Sequence, residues 1–171
     1  SLKPYMSKLT GSLIRVSGDS NKFPAQLKEA ILGTMCTCLE VGGAFLKAFA
    51  PQLQTTFIKG IKDDDYETRR RSKDGLVLLV KVSPRTDAML SEVATTASTM
   101  DERGVQLSCL EALYEILESL PKCPSAPVSD KIKAALILAG EYAPDFDGDD
   151  DRETESLVGR AVERCSVALD A

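Results

Sequence analysis

Histidine and tryptophan are both absent from this chain of 171 residues. Histidine is the commonest general base, the usual partner of a serine or cysteine nucleophile and the commonest zinc ligand. The five cysteines are odd in number and contain no Cys-x-x-Cys pair, so a compact cysteine metal motif is missing too. Most hydrolytic mechanisms therefore lose a required group, and the sequence predicts no catalytic residue, no metal site and no cofactor.

Long apolar runs and an excess of positive charge are missing as well. No stretch approaches the roughly 18 continuous apolar residues of a membrane span, and the N-terminal SLKPYMSKLTG contains no apolar signal-peptide core. With 26 acids against 21 bases, the formal charge of −5 does not favour binding to phosphate backbones. Unpaired cysteines are typical of a reducing compartment. We therefore expect a cytoplasmic segment of a longer chain, with no membrane partner and no direct DNA contact.

Helical periodicity is the dominant positive signal. Tyr5, Leu9, Leu13 and Val16 recur at spacings of four, four and three, which predicts an amphipathic first helix. Similar patterns follow to the end of the chain, separated by Gly42-Gly43, by prolines and by acidic runs. Alternating strand patterns are missing. The chain therefore reads as about eight helices, paired into hairpins at about 1–42, 44–83, 85–120 and 127–170, with a linker at 121–127.

The even-numbered helices share an internal repeat. Aligned positions recur at offsets of 41 and 37 residues: Leu27-Lys28, Thr68-Arg69 and Val105-Gln106 occupy the first, Thr34-Met35, Gly75-Leu76 and Ala112-Leu113 the second, and Cys38, Leu79 and Ile116 the third. These offsets match or lie just below the ~40–47 residues of HEAT and armadillo repeats. The predicted fold is therefore an all-α solenoid of HEAT-type hairpins, about eight helices in four repeats that form one domain over 1–171. An ordinary helix bundle is the alternative.

The stretch DDDYETRRR, residues 63–71, combines an acidic turn with three consecutive arginines. Acids at a helix N-terminus accept hydrogen bonds from free backbone amides and oppose the positive end of the helix dipole. Successive helical residues are separated by about 100°, so the arginines cannot all serve one intramolecular partner. Arg69 occupies the basic position of the repeat, whereas Arg70 and Arg71 have a weaker structural explanation, and at least one of them should face solvent beside Lys73. We therefore treat Arg69, Arg70, Arg71 and Lys73 as candidate partner-binding residues.

Several blocks of sequence carry a family resemblance. They are LKPYMSKLTGSLIRVSGD, LKAFAPQLQTTFIKGIKD, TRRRSKDGL and RTDAML, of which PQLQTTF is the most distinctive part. In order and spacing, over about residues 1–119, the chain resembles the C-terminal part of the general-control translational activators. These are very large HEAT-repeat proteins that activate the kinase of initiation factor two alpha. Residues 120–171 share only the helical-repeat character. Ser12 and Ala48 replace usual prolines, and SKDG replaces an alanine-rich run, which indicates a divergent member.

The resemblance implies an adaptor with no enzymatic activity of its own. Members of the family act on translating ribosomes, and this region docks the N-terminal RWD domain of the kinase in the response to amino-acid starvation. The family's arginines correspond to Arg69 and Arg71, whereas Arg70 has no counterpart. The expected partners are therefore the RWD domain and, through the full-length protein, the ribosome.

The sequence also leaves two alternative functions open and contains two minor candidate sites. The chain could instead be a HEAT adaptor segment that contacts ribosomal RNA or ribosomal proteins through residues 69–73. Binding to RNA would then weaken steeply as the salt concentration rises. An enzyme is disfavoured without histidine. The run DFDGDDDRE, residues 145–153, fits a calcium loop poorly because its glycine falls at the fourth place and Ser156 at the twelfth. Cys123 is expected to be an exposed thiol in the proline-rich linker.

Overall fold

The computed structural model describes residues 3–99, 101–141 and 149–170. Within these ranges the chain forms eight α-helices, two short 3-10 helices and no strand, so the predicted all-α fold class is confirmed. The α-helices are α1 (Lys3–Ser17), α2 (Ala25–Gly42), α3 (Ala50–Gly60), α4 (Tyr66–Leu79), α5 (Thr86–Thr99), α6 (Arg103–Ser119), α7 (Ala126–Glu141) and α8 (Asp149–Asp170).

The chain divides into two compact units, the first ending at Pro84 and the second beginning at Arg85. In the first unit α1 packs on α2 and α3 packs on α4, and the two hairpins stack through α2 against α4 and α1 against α3. In the second unit α5 packs on α6 and α7 on α8, and stacking joins α6 to α8 and α5 to α7. Each unit therefore has the stacked-hairpin packing of a helical-repeat protein. A single domain over 1–171 stays a prediction.

Each unit buries its own apolar core, because one amphipathic hairpin cannot cover its apolar faces alone. The largest fully buried side chains of the first unit are Met35, Leu46, Leu53, Phe57, Ile61, Leu76 and Leu79. Those of the second unit are Met89, Leu90, Leu110, Leu113 and Ile116.

The connection from α2 to α3 differs from the sequence expectation. α2 ends at Gly42, and Gly43 has a φ of +49°, a left-handed value that favours glycine. Residues Gly43–Phe49 then form a 3-10 helix, which the periodicity did not predict, and Leu46 from this segment is fully buried. The segment therefore belongs to the core of the first unit.

The expectation that no segment is apolar enough to cross a membrane was too strong. By length and composition alone, Ala25–Gly60 meets that condition among the described residues. However, Gly43 interrupts the segment, and α2 and α3 each pack against other helices of the first unit. This is the packing of core helices, which meet the same compositional condition.

The first helix was predicted, but its apolar stripe is not its buried face. Tyr5, Leu9 and Val16 are exposed, whereas Met6 and Thr10 are buried. α1 packs against α2 and the 3-10 helix at Gly43–Phe49. Because that 3-10 helix was not expected, the periodicity alone could not show which side of α1 it covers.

Candidate functional site

The acids of residues 63–65 build the turn that starts α4. Asp65 is the N-cap, and its Oδ2 accepts hydrogen bonds from the Thr68 backbone N–H at 2.8 Å and the Thr68 hydroxyl at 2.8 Å. Asp63 Oδ1 accepts a hydrogen bond from the Asp65 backbone N–H at 3.0 Å. The acids therefore have the capping role that the sequence predicted.

These hydrogen bonds make the cap pH-dependent. Backbone and side-chain donation from Thr68 lowers the pKa of Asp65 below its usual value of 3.8. A lowered folded-state pKa adds stability that is present above about pH 4 and is lost as the pH falls through the folded-state pKa.

We expect Asp65→Ala to lower the free energy of unfolding of the first unit by about 1 kcal/mol at neutral pH, because the cap is lost. Asp65→Asn keeps an acceptor for the Thr68 amide but has no carboxyl to titrate. It should therefore retain most of the stability and lose the part of the acid dependence that comes from this residue. Urea denaturation from pH 7 to pH 3 measures both effects. An Asp65→Asn variant with unchanged acid dependence would contradict the assignment.

Arg69, on α4, forms hydrogen bonds to the backbone of the same turn. Its Nη1 donates to the carbonyl oxygens of Asp63 at 2.9 Å and Asp64 at 2.7 Å. Lys28, at the equivalent repeat position, forms an ion pair with Asp63 Oδ2 at 2.7 Å, and both side chains are largely buried. The basic residues at this repeat position of α2 and α4 therefore both contact the turn of the second hairpin.

Arg70 and Arg71 keep more of their side chains in solvent. Arg70 Nη2 lies 2.8 Å from Glu67 Oε2 within α4, and 45% of its side chain is exposed. Arg71 Nε lies 3.3 Å from Glu29 Oε1 on α2, with 39% of its side chain exposed. The Arg71 side chain also runs beside Gly33, where a Cβ would lie 3.7 Å from its Nε. The three arginines thus have three different intramolecular partners, consistent with their fan around the helix.

Lys73 contributes little accessible charge. Its side chain is only 15% exposed, and its Nζ lies 3.9 Å from the carboxylate of Asp74. Of the four candidate residues, Arg70 and Arg71 therefore lie at the surface. Arg69 and Lys73 contact groups of the first unit itself. Partner binding by any of them stays a prediction.

The sequence interpretation missed Glu29 as the partner of Arg71. The two residues are 42 positions apart, close to the repeat offset of 41 found in the sequence. Equivalent positions of α2 and α4 lie side by side because the two helices stack. The repeat alignment was therefore the signal that could have identified this pair.

Comparison with known proteins identifies the family to which the chain belongs. The chain is 36% identical over 168 residues to the eIF-2-alpha kinase activator GCN1 of Dictyostelium discoideum, covering 98% of the chain and 6% of that relative. It is 38% identical over 117 residues to the protein of the same name in Saccharomyces cerevisiae (68% of the chain, 4% of the relative). The human stalled ribosome sensor GCN1 is 32% identical over 136 residues (80% and 5%). The chain belongs to the GCN1 family.

The family assignment rests on these relatives. No protein-family model matches the chain, and no solved structure matches it significantly. The chain spans only 4 to 6% of the length of the GCN1 relatives named above. Their names describe an activator and a sensor, not an enzyme.

The second unit of this GCN1-family chain contains an ion pair that sequence reasoning missed. Arg103 on α6 faces Glu155 on α8, with Nε to Oε1 at 2.5 Å and Nη2 to Oε2 at 2.6 Å. Arg103 also donates to the Ala139 carbonyl at 3.0 Å and to Gln106 Oε1. Gln106, which occupies the same repeat position as Lys28 and Arg69, donates to the Ala97 carbonyl at 3.0 Å. These contacts join α5, α6, α7 and α8.

The cysteines of the chain are mainly packing residues. Cys36, Cys38, Cys109 and Cys165 are buried, whereas Cys123 is exposed as predicted. Burial, with a smaller contribution from Asp74, raises the pKa of Cys36 to about 12, and burial raises the pKa of Cys165 to about 12. These two thiols therefore stay protonated at neutral pH.

Metal binding has no support among the residues that the structure describes. No group of three or more histidine, cysteine, aspartate or glutamate side chains there is arranged to hold an ion. Most of the poor calcium-loop candidate at residues 145–153 lies outside the described side chains.

Proposed function

We propose that this chain is a non-enzymatic helical-repeat segment that docks the RWD domain of the eIF2-alpha kinase in the cytoplasm. Two GCN1 relatives are named eIF-2-alpha kinase activators, and a third is named a stalled ribosome sensor. The observation that supports a docking role here is the exposure of the Arg70 and Arg71 side chains on one rigid helix. In the full-length protein, the same segment would act beside the ribosome.

The geometry suits recognition of an acidic surface. Glu29 on α2 supports Arg71 from the neighbouring hairpin, so its guanidinium is partly ordered before a partner arrives. An arginine fork on a rigid helix can bind a carboxylate in a bidentate manner with little further loss of side-chain entropy. A partner carboxylate would add to the contact with Glu29 or replace it.

Arg69 has a structural role in addition to any role in binding. The family resemblance suggests alanine substitution of Arg69 and Arg71. However, Arg69 holds the turn between α3 and α4, so Arg69→Ala would weaken the fold as well as any binding. Charge reversal at Arg70 and Arg71 changes the exposed cations and leaves that turn intact.

We expect the double variant R70E/R71E to weaken binding of the purified RWD domain by at least about tenfold, equivalent to about 1.4 kcal/mol. Repulsion would replace attraction at the interface. Isothermal titration calorimetry measures the change, and circular dichroism checks that helicity is retained. The exposed Arg15 on α1 provides the matched control, R15E.

The outcomes separate the two candidate functions. Equal RWD affinity in wild type and R70E/R71E would overturn docking through these arginines. A fluorescein-labelled ribosomal RNA oligonucleotide, titrated in parallel, tests the alternative. Arginine-dependent RNA binding that falls steeply with salt, with no RWD binding, would favour the RNA adaptor.

A further inference from the structure

The first unit contains a cavity of about 740 Å³ lined by residues of α1, α2 and α3 and by the turn that leads into α4. Ile14, Ile31 and Leu32 provide its apolar lining, and Thr55 and Thr56 contribute hydroxyl groups. Neither Arg70 nor Arg71 lines it. The cavity is therefore distinct from the surface proposed to dock the RWD domain.

The charged side chains at the cavity differ in whether an ion pair within the protein already neutralises them. Lys28, Lys59 and Lys62 line it together with Asp63 and Asp64. Lys28 is paired with Asp63 at 2.7 Å, so these two charges largely cancel. Lys59 Nζ donates to the Gly18 carbonyl at 3.2 Å, and in the described part of the chain neither Lys59 nor Lys62 forms an ion pair.

Two exposed lysines near the end of α3 have a partial structural explanation. Cations near a helix C-terminus interact favourably with the helix dipole. That accounts for positive charge at Lys59 and Lys62 but not for an adjoining cavity with buried Ile31 and Leu32 in its lining. The three lysines and two aspartates of the lining sum to a charge of +1, on a chain whose formal charge is −5.

We propose that this cavity binds an extended acidic peptide segment of a protein partner. Carboxylates of the peptide would contact Lys59 and Lys62, and an apolar side chain of the peptide would pack on the half-buried Ile14. RNA fits less well, because among the residues that the structure describes the lining includes no aromatic side chain for base stacking and no arginine. Asp64 would repel the peptide and limit its affinity.

The test is fluorescence anisotropy with a fluorescein-labelled peptide of alternating glutamate and leucine. We expect saturable binding that K59E/K62E weakens by at least about tenfold. D64N should tighten binding, because it removes the opposing charge. The matched control is K47E, which reverses an exposed lysine of the 3-10 helix outside the cavity. The same peptide with glutamine in place of glutamate should bind weakly.

Three results would overturn the proposal: no saturable binding, equal loss in K47E, or tighter lysine-dependent binding of a labelled single-stranded RNA. If K59E/K62E fails to fold, K59Q/K62Q provides the same test without charge reversal. RWD titration of the cavity variants keeps this proposal separate from the docking function. Loss of peptide binding with unchanged RWD binding would assign two surfaces, whereas loss of both would assign the RWD contact to the cavity.

Discussion

Arg103→Ala is expected to lower the free energy of unfolding of the second unit by about 3 kcal/mol. The side chains of Arg103 and Glu155 are only 13% and 20% exposed, and the pair is bidentate. Removal of the guanidinium would leave the Glu155 carboxylate largely buried without its cation. It would also remove the donors to the Ala139 carbonyl and Gln106 Oε1.

The pair itself is not expected to be the most stable arrangement for this position. An apolar pair of similar volume avoids the cost of burying two charges. The double variant R103M/E155L should therefore recover most of the stability lost in Arg103→Ala. Arg160→Ala, which removes an exposed arginine on α8, should change stability by less than about 0.5 kcal/mol.

Urea denaturation of the four proteins measures these differences. An Arg103→Ala variant as stable as Arg160→Ala would show that the pair does not hold α6 against α8. A double variant no more stable than Arg103→Ala would show that the loss arises from another contact of Arg103.

Gly75→Ala is expected to destabilise the first unit by about 2 kcal/mol, although alanine is the better helix former. A Cβ at Gly75 would overlap the aromatic ring of Phe57. Both residues are buried, and the Phe57 side chain is fully enclosed. The ring has little room to move, so overpacking should outweigh the propensity gain of about 1 kcal/mol.

A double-mutant cycle and a second glycine isolate the cause. In the Phe57→Leu background the smaller side chain makes room, so Gly75→Ala should become much less costly there. In the described part of the chain, a Cβ at Gly159 on α8 would meet no atom within 4 Å other than those of its chain neighbours and its own helix backbone. Gly159→Ala should therefore stabilise the second unit by up to about 1 kcal/mol.

The decisive observation is whether each substitution raises or lowers the free energy of unfolding. Thermal or urea denaturation measures the free energy of unfolding of the wild type, Gly75→Ala, Gly159→Ala, Phe57→Leu and the double variant G75A/F57L. A stabilising Gly75→Ala would mean that the Phe57 contact is looser than the structure shows.

The structure gives Gly75 a packing role in addition to its cost in helix propensity. Glycine inside a helix costs about 1 kcal/mol relative to alanine, so SKDG in place of an alanine-rich run indicated divergence. The structure explains the glycine at position 75 by close approach of Phe57. A small residue at this repeat position permits α3 to pack closely on α4.

Features set by local spacing were predictable from the sequence. Helical periodicity predicted the fold class, and the acids before α4 predicted the cap that Asp65 provides. Both depend on residues within one or two turns of each other. The repeat offset also identified Lys28 and Arg69 as equivalent, and both contact the turn before α4.

Features set by contacts between distant segments were not predictable in the same way. The 3-10 helix at Gly43–Phe49 has no simple period, and together with α2 it covers the buried face of α1. The pairing of Arg103 with Glu155 spans 52 residues and depends on how α6 meets α8. The repeat position set Arg69 apart, but Arg70 and Arg71 could not be separated from Lys73 without knowing where the neighbouring helices lie.

The central claim is that this chain itself binds the RWD domain of the eIF2-alpha kinase through the exposed arginines of α4. The most direct test is a calorimetric titration of the chain with the purified RWD domain at low and high salt. The account predicts saturable binding that weakens with salt and is reduced at least about tenfold in R70E/R71E. No heat of binding at either salt concentration, or equal affinity in the double variant, would contradict it.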